Sequence, residues 1–190
     1  MAVSVINIIN RALLIAGCDT ITSLTQENSR NARVANTIYE STRRELLRGH
    51  PWNFATLRTS LAQLSSTPTF GFNYEYQLPS NCLRVIRAQN PNSVYKVEGR
   101  KLLTDENTFS IAYIADIEDT TLMDDLFRLA LVYELAAQFA AMIRLDQDAA
   151  AALASRAEMM LRKARQIDGQ EDTAELLVSN LWTDGENGPI

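Results

Sequence analysis

Residues 43–64, RRELLRGHPWNFATLRTSLAQL, decide how this chain is built. The stretch from Arg43 to Arg48 completes a helical pattern, Gly49-His50-Pro51-Trp52 interrupts it, and from Phe54 the spacing shifts toward alternation. Gly49 offers a left-handed cap and Pro51 bars any continuation of the helix. His50 precedes a proline and is pushed toward an extended backbone. The chain changes architecture at this point, and Gly49, His50, Pro51, Trp52 and Phe54 form the structural junction.

On the N-terminal side the spacing predicts two helices. The first runs from Ser4 to Ala16 with Ile6, Ile9, Leu13 and Ala16 on one face, and Gly17 is placed to cap it. A polar connection follows in which Ile21 and Leu24 turn toward the core. The second helix spans Ser29 to Gly49 through Ala32, Ala35, Ile38, Tyr39, Leu46 and Leu47, with Arg43, Arg44 and Arg48 in its last turns, where positive charge is favoured.

On the C-terminal side the period of two predicts strands at Phe54–Leu64, Tyr74–Leu78, Leu83–Ala88, Val94–Val97, Lys101–Thr104 and Phe109–Ile114. Gly99-Arg100 between two short apolar strands marks a hairpin. Strands this short make a small antiparallel subdomain packed on the helices or on a neighbouring chain. Helix returns after Thr121-Leu122-Met123-Asp124, which reads as a variant capping box. Its apolar stripe is Leu122, Leu126, Leu129, Tyr133, Ala136, Ala140 and Ile143. A further helix from Asp148 to Ile167 carries Leu153, Ala157, Met160, Ala164 and Ile167, and Asp168-Gly169 ends it. Alanine-rich stripes of this kind suit close antiparallel packing. The chain is therefore α+β: a helical core from residues 1–50 and 120–168, a β-rich insertion at 51–119, and a C-terminal arm at 169–190. That arm is expected to be extended or a short helix. It presents Leu176, Leu177, Leu181 and Trp182, which either fold back on their own core or reach a partner chain.

Composition narrows the class. With 190 residues and 46% hydrophobic content the chain buries a sizeable core. No run of eighteen apolar residues occurs, so no membrane span is expected. Cys18 and Cys82 fit no metal spacing and read as free thiols of a protein made inside a cell. The net charge of −5 is unevenly spread: +3 over residues 1–65, +1 over 66–115 and −9 over 116–190. An acidic surface repels nucleic acid.

The residues that chemistry would need are sparse. His50 is the sole histidine, which excludes any two-histidine metal site, and a turn role suits it better than proton transfer. Asp116, Glu118, Asp119, Asp124 and Asp125 cluster before and within the first turn of the third helix. There carboxylates satisfy free amides and the helix dipole, whereas a glycosidase pair would need a desolvated acid. Glu134 lies in an otherwise apolar stretch and is expected to face out or to meet an arginine. Arg84, Arg87, Arg100 and Lys101 lie near Tyr74, Tyr76 and Tyr95, a mix that stacking platforms use, but without a basic stripe. No cofactor or metal is expected.

The order of several segments resembles the tail tubular protein A family, the head-to-tail adaptors of short-tailed bacteriophages. The matching pieces are Asn10-Arg11-Ala12-Leu13 with Ile15-Ala16-Gly17, Ile21-Thr22-Ser23-Leu24, and the helix through Tyr39 and Arg43. Next come Leu46-Leu47-Arg48-Gly49-His50-Pro51-Trp52-Asn53-Phe54-Ala55, then Tyr76-Gln77-Leu78-Pro79 with Cys82-Leu83-Arg84-Val85. Val97 to Leu103 and Ile111-Ala112-Tyr113-Ile114 complete the set, which spans about residues 5–165. The resemblance implies an antiparallel four-helix core with a β-rich insertion between helices two and three. It also implies a ring, usually of twelve copies, docked under the capsid portal, with the tail nozzle protein below and genomic DNA passing through. The location implied is the virion's head-to-tail junction, and the resemblance carries over no catalytic motif. An acid-rich lining formed by Asp116, Glu118, Asp119, Asp124 and Asp125 would let DNA slide. The competing readings are a peptidoglycan-degrading tail component and a cytosolic helical protein-binding module.

Overall fold

The structure, a computed structural model, describes residues 4–25 and 28–171. Four helices and seven strands follow in the order α1 (Val5–Ile15), α2 (Arg30–Arg48), β1 (Thr56–Ser60), β2 (Ala62–Gln63), β3 (Tyr74–Gln77), β4 (Cys82–Ala88), β5 (Tyr95–Glu98), β6 (Lys101–Thr104), β7 (Ser110–Ala115), α3 (Asp125–Phe139) and α4 (Gln147–Gln170). The fold is α+β, with a bundle-like helical core and two small antiparallel sheets inserted between α2 and α3.

Local chemistry sets the helix ends. The Ser4 and Ser29 hydroxyls accept from the amides of Asn7 and Ala32 and start α1 and α2. Gly17, at φ +72°, closes α1: its amide donates to Leu14 O at 3.0 Å and that of Cys18 to Leu13 O at 2.8 Å. A Cβ on Gly17 would lie 2.5 Å from Arg144 Nη1, the movable end of a long side chain, so the positive φ is the stronger reason for glycine there. Asn10 ties down the next loop, giving and taking one hydrogen bond of 2.8 Å each with the Ile21 backbone. Ile21 is thereby buried.

Gly49 differs from expectation. It stays right-handed at φ −71°, because the Trp52 indole Nε1–H donates to Leu46 O at 3.0 Å and satisfies a terminal carbonyl of α2 by another route. The expected capping box is also replaced. Asp124, not Thr121, caps α3, accepting from the amides of Leu126 and Phe127 at 2.8 and 3.0 Å, while Thr121 belongs to a separate turn held by Asp119.

α3 is the central helix and packs against α1, α2 and α4. It is buried on several sides, at Phe127, Leu131, Val132, Leu135, Ala136 and Phe139; of the single stripe expected, Ala136 and Ala140 lie in the core and Leu126 and Ile143 pack against it, whereas Leu122 precedes the helix. Leu122 is 60% exposed. By length and composition the helical run Asp125–Arg144 is apolar enough to cross a membrane, and half of its most apolar window is buried inside the fold. A π-helical turn, Ala140–Arg144, ends at Leu145 in the left-handed region. α4 then lies on α3 through small residues, with Ala157 and Ala164 fully covered. It continues through Asp168 and Gly169 to Gln170, past the stop expected there.

The first sheet has the order β1-β7-β4 and the second β2-β3-β6-β5. The single strand expected over Phe54–Leu64 is three pieces: a 3-10 turn at Asn53–Ala55, then β1, then β2 in the other sheet. The switch occurs at Leu61, whose amide donates to Phe109 O, while the amide of Leu64 already donates to Glu75 O. Gly99 and Arg100 both take positive φ in the β5–β6 turn, as its type requires. β7 serves two cores. Ile111, Tyr113 and Ala115 face Tyr76, Leu102 and Phe109 between the sheets, while Ile114 joins the helical core.

Candidate functional site

The junction residues form one cluster. Trp52 is fully buried between layers, edge-on to Phe127 at 5.1 Å and 5.8 Å from Phe54, whose ring also meets Phe127 at 5.1 Å. His50 packs edge-on to Trp52 at 4.6 Å. The residue that closes this cluster from outside is Asp168 of α4. Its Oδ2 accepts from His50 Nε2–H at 3.1 Å, its Oδ1 accepts from the Asn53 amide at 2.9 Å, and its carbonyl accepts from Asn53 Nδ2 at 2.7 Å. Burial holds the His50 imidazole below its usual range. The bond to Asp168 opposes that shift, and the charges of Arg165 and Arg84 reinforce it. Asp168 has no sequence signature, because its partners lie more than a hundred positions away.

The returning chain is fastened as well. Asp116, just after β7, takes Arg43 at 2.7 Å and Arg44 at 3.4 Å, and Arg43 and Asp116 are nearly buried. Arg48 donates to the carbonyl of Leu83 in β4. Of the candidate lining carboxylates, Asp116 is thus held by two arginines and Asp125 pairs with Arg128. Asp119 is held below its ordinary range by the Thr121 hydroxyl and amide. Glu118, Asp119 and Asp124 are exposed. Glu134 accepts from Gln138 of its own helix at 3.4 Å.

The cations near the tyrosines divide. Lys101 pairs with Glu75 at 2.7 Å, and Arg100 donates to Pro79 O and Ser80 O. Tyr76 is buried in the inter-sheet core and Tyr95 packs edge-on to Phe109, so these rings serve the sheets. Arg84 and Arg87 lie on β4 beside β7. Arg87 lines a groove of about 580 Å³ with Arg58 of β1, a residue that the alternation of the segment after Trp52 placed on a strand but did not mark as functional.

Cys18 and Cys82 are free thiols, and burial raises the proton affinity of both. Among the described residues no group of three or more His, Cys, Asp or Glu is placed to hold a metal ion. The arm residues Leu176, Leu177, Leu181 and Trp182 lie outside the described residues. What the described geometry does is mechanical: both crossings between the helical and β layers are tied by buried or semi-buried polar contacts. No family model matches the chain, and no curated protein matches it in sequence.

Proposed function

We propose that this chain is a structural adaptor of a virion, one wedge of a ring that joins a portal to a tail nozzle and leaves a channel for DNA. The observation that carries this reading is the ordered resemblance to tail tubular protein A adaptors, centred on Trp52-Asn53-Phe54-Ala55. The architecture agrees with what that resemblance implies, with helices enclosing a β-rich insertion that leaves after α2 and returns before α3. The work proposed is geometric, matching one ring above to another below, with no bond made or broken.

In such a ring the insertion must hold a fixed angle to the helices, and the ties at Trp52, Asp168 and Asp116 supply that rigidity. Glu118, Asp119, Asp124 and Asp125 are the carboxylates open to solvent that a DNA channel would use. Phe70, 87% exposed in the loop between β2 and β3, suits contact with a neighbouring protein.

The test is imaging of the particle together with reconstitution. Mixed with a purified portal protein from the same genome, the full chain should co-sediment as a closed ring visible in micrographs under the portal. Intact particles with no density for the chain at the neck, or a portal that leaves it monomeric, would refute the adaptor reading.

A further inference from the structure

The helix-facing side of the first sheet is only partly covered by helices. Thr56, Arg58 and Ser60 of β1 alternate onto one face, opposite Ile114, Ala112 and Ser110 of β7. Ile114 is packed in the helical core, but the other end of the same face opens into the groove of about 580 Å³. Arg58 and Arg87 flank Ala112 there, with Ser60, Ser110 and Gln89 along the floor. Among the described residues, none that lines the groove is acidic. Toward the junction the basic character continues, since Arg84 pairs with Ile114 in register, and Arg84 and Arg165 lie close enough to His50 to act on its charge.

The C-terminal end of α4 is fixed at the edge of this face, because Asp168 is bonded to Asn53, five positions before Arg58. Five residues of chain separate those points by at most about 17 Å. Residues 172–190 continue from that end. They contain Asp172, Glu175, Asp184 and Glu186 and no lysine, arginine or histidine. Nineteen residues reach up to about 60 Å when extended, several times the distance to the groove. Length, point of attachment and charge thus agree on one occupant.

We infer that the acidic segment 172–190 docks on the basic face of its own sheet, its carboxylates meeting Arg58 and Arg87. This goes beyond the adaptor reading and does not depend on it. A tethered segment has an effective concentration that a separate molecule lacks, so the contact forms within one chain.

The test uses the full chain with Arg58→Lys and Arg87→Lys, which keep the charges and supply amines. Unlabelled and ¹⁵N-labelled chains are mixed equally, treated with a zero-length carboxyl-to-amine cross-linker and read by mass spectrometry. Circular dichroism checks that the fold is kept. Links from positions 58 and 87 to carboxylates of 172–190 should lie within single-isotope chains. They should exceed links from Lys96, on the far edge of the insertion, by about tenfold. Their yield should not change on dilution from about 50 to about 0.5 µM, because tethering supplies about a millimolar. Mixed-isotope links that fade on dilution would overturn the proposal in favour of a second copy. Yields equal to those at Lys96 would also overturn it. So would the absence of links in a chain that binds duplex DNA through this face, as read by fluorescence anisotropy.

Discussion

Replacing Asp168 by alanine removes two acceptors at once, one for the Asn53 amide and one for His50. The Asp168 side chain is 10% exposed and that of His50 22%, so these bonds are only partly screened by water. Hydrogen bonds to a charged group contribute about 1.5–3 kcal/mol each. The Asn53 site is exposed enough for water to replace its partner, which lowers the pair to about 3 kcal/mol in sum. Alanine is the better helix former and returns about 0.6 kcal/mol. The net expectation is a loss of about 2 kcal/mol, which moves a urea midpoint down by about 1 M. Asp168→Asn keeps a neutral acceptor for one bond and should cost about half as much. Urea titration followed by circular dichroism reads the effect. Gln166→Ala, at an exposed position of the same helix, serves as the reference. Hydrogen exchange at the Asn53 amide should rise in the Asp168 variant before the rest of the chain opens. A loss below about 0.5 kcal/mol, or unchanged protection at Asn53, would refute the claim that Asp168 fastens the junction.

Asp116→Ala leaves the Arg43 guanidinium, 5% exposed, without its closest anion and should cost about 3–5 kcal/mol in chemical denaturation. A cost below about 1 kcal/mol would show that Arg44 or solvent neutralises the site equally well. Among the described residues the Tyr39 hydroxyl is buried without a partner, so Tyr39→Phe should leave stability unchanged or raise it by about 1 kcal/mol; a clear loss would reveal a partner. His50 has a folded pKa below its unfolded value near 6.5. The unfolded chain therefore takes up the proton first, and stability is full above pH about 6.5 and declines as pH falls toward the folded value. His50→Gln should flatten that part of the pH–stability curve, and an identical slope in the variant would sink the assignment.

The helices were legible because their caps are local. Ser4, Ser29 and Gly17 act within four residues, and α1 and α2 each present one apolar side. α3 was found but only part of its buried surface: Ala136 and Ala140 were placed correctly, while Phe127, Leu131, Leu135 and Phe139 were missed, because a helix surrounded by three others is apolar nearly all round and periodicity then carries little phase. The segment from Phe54 to Leu64 looked like one strand because alternation persists while the chain passes from one sheet to the other. Nothing in Leu61 announces the switch; the pairing partners Phe109 and Glu75 impose it. Gly49 was read as a left-handed cap because its type allows one. The indole of Trp52 satisfied the helix end instead, a tertiary effect that propensity does not contain. The junction residues themselves were legible as an interruption, whereas Asp168, which binds them, was not.

The fastenings of the insertion have a common logic. An insertion attached by two chain crossings would swing about them as a hinge unless each crossing were held off-axis. The outgoing crossing at Gly49–Phe54 is held from inside by Trp52 in the aromatic cluster and from outside by Asp168, on opposite sides of the same turn. The returning crossing is held at Asp116 by two arginines of α2, and Arg48, from the last turn of that helix, reaches β4. α2 thus grips the insertion at the exit and at the return, and α4 locks the exit from outside. If the proposed ring forms, fastenings of this kind would matter to it, since a small change in angle per copy multiplies around a closed circle.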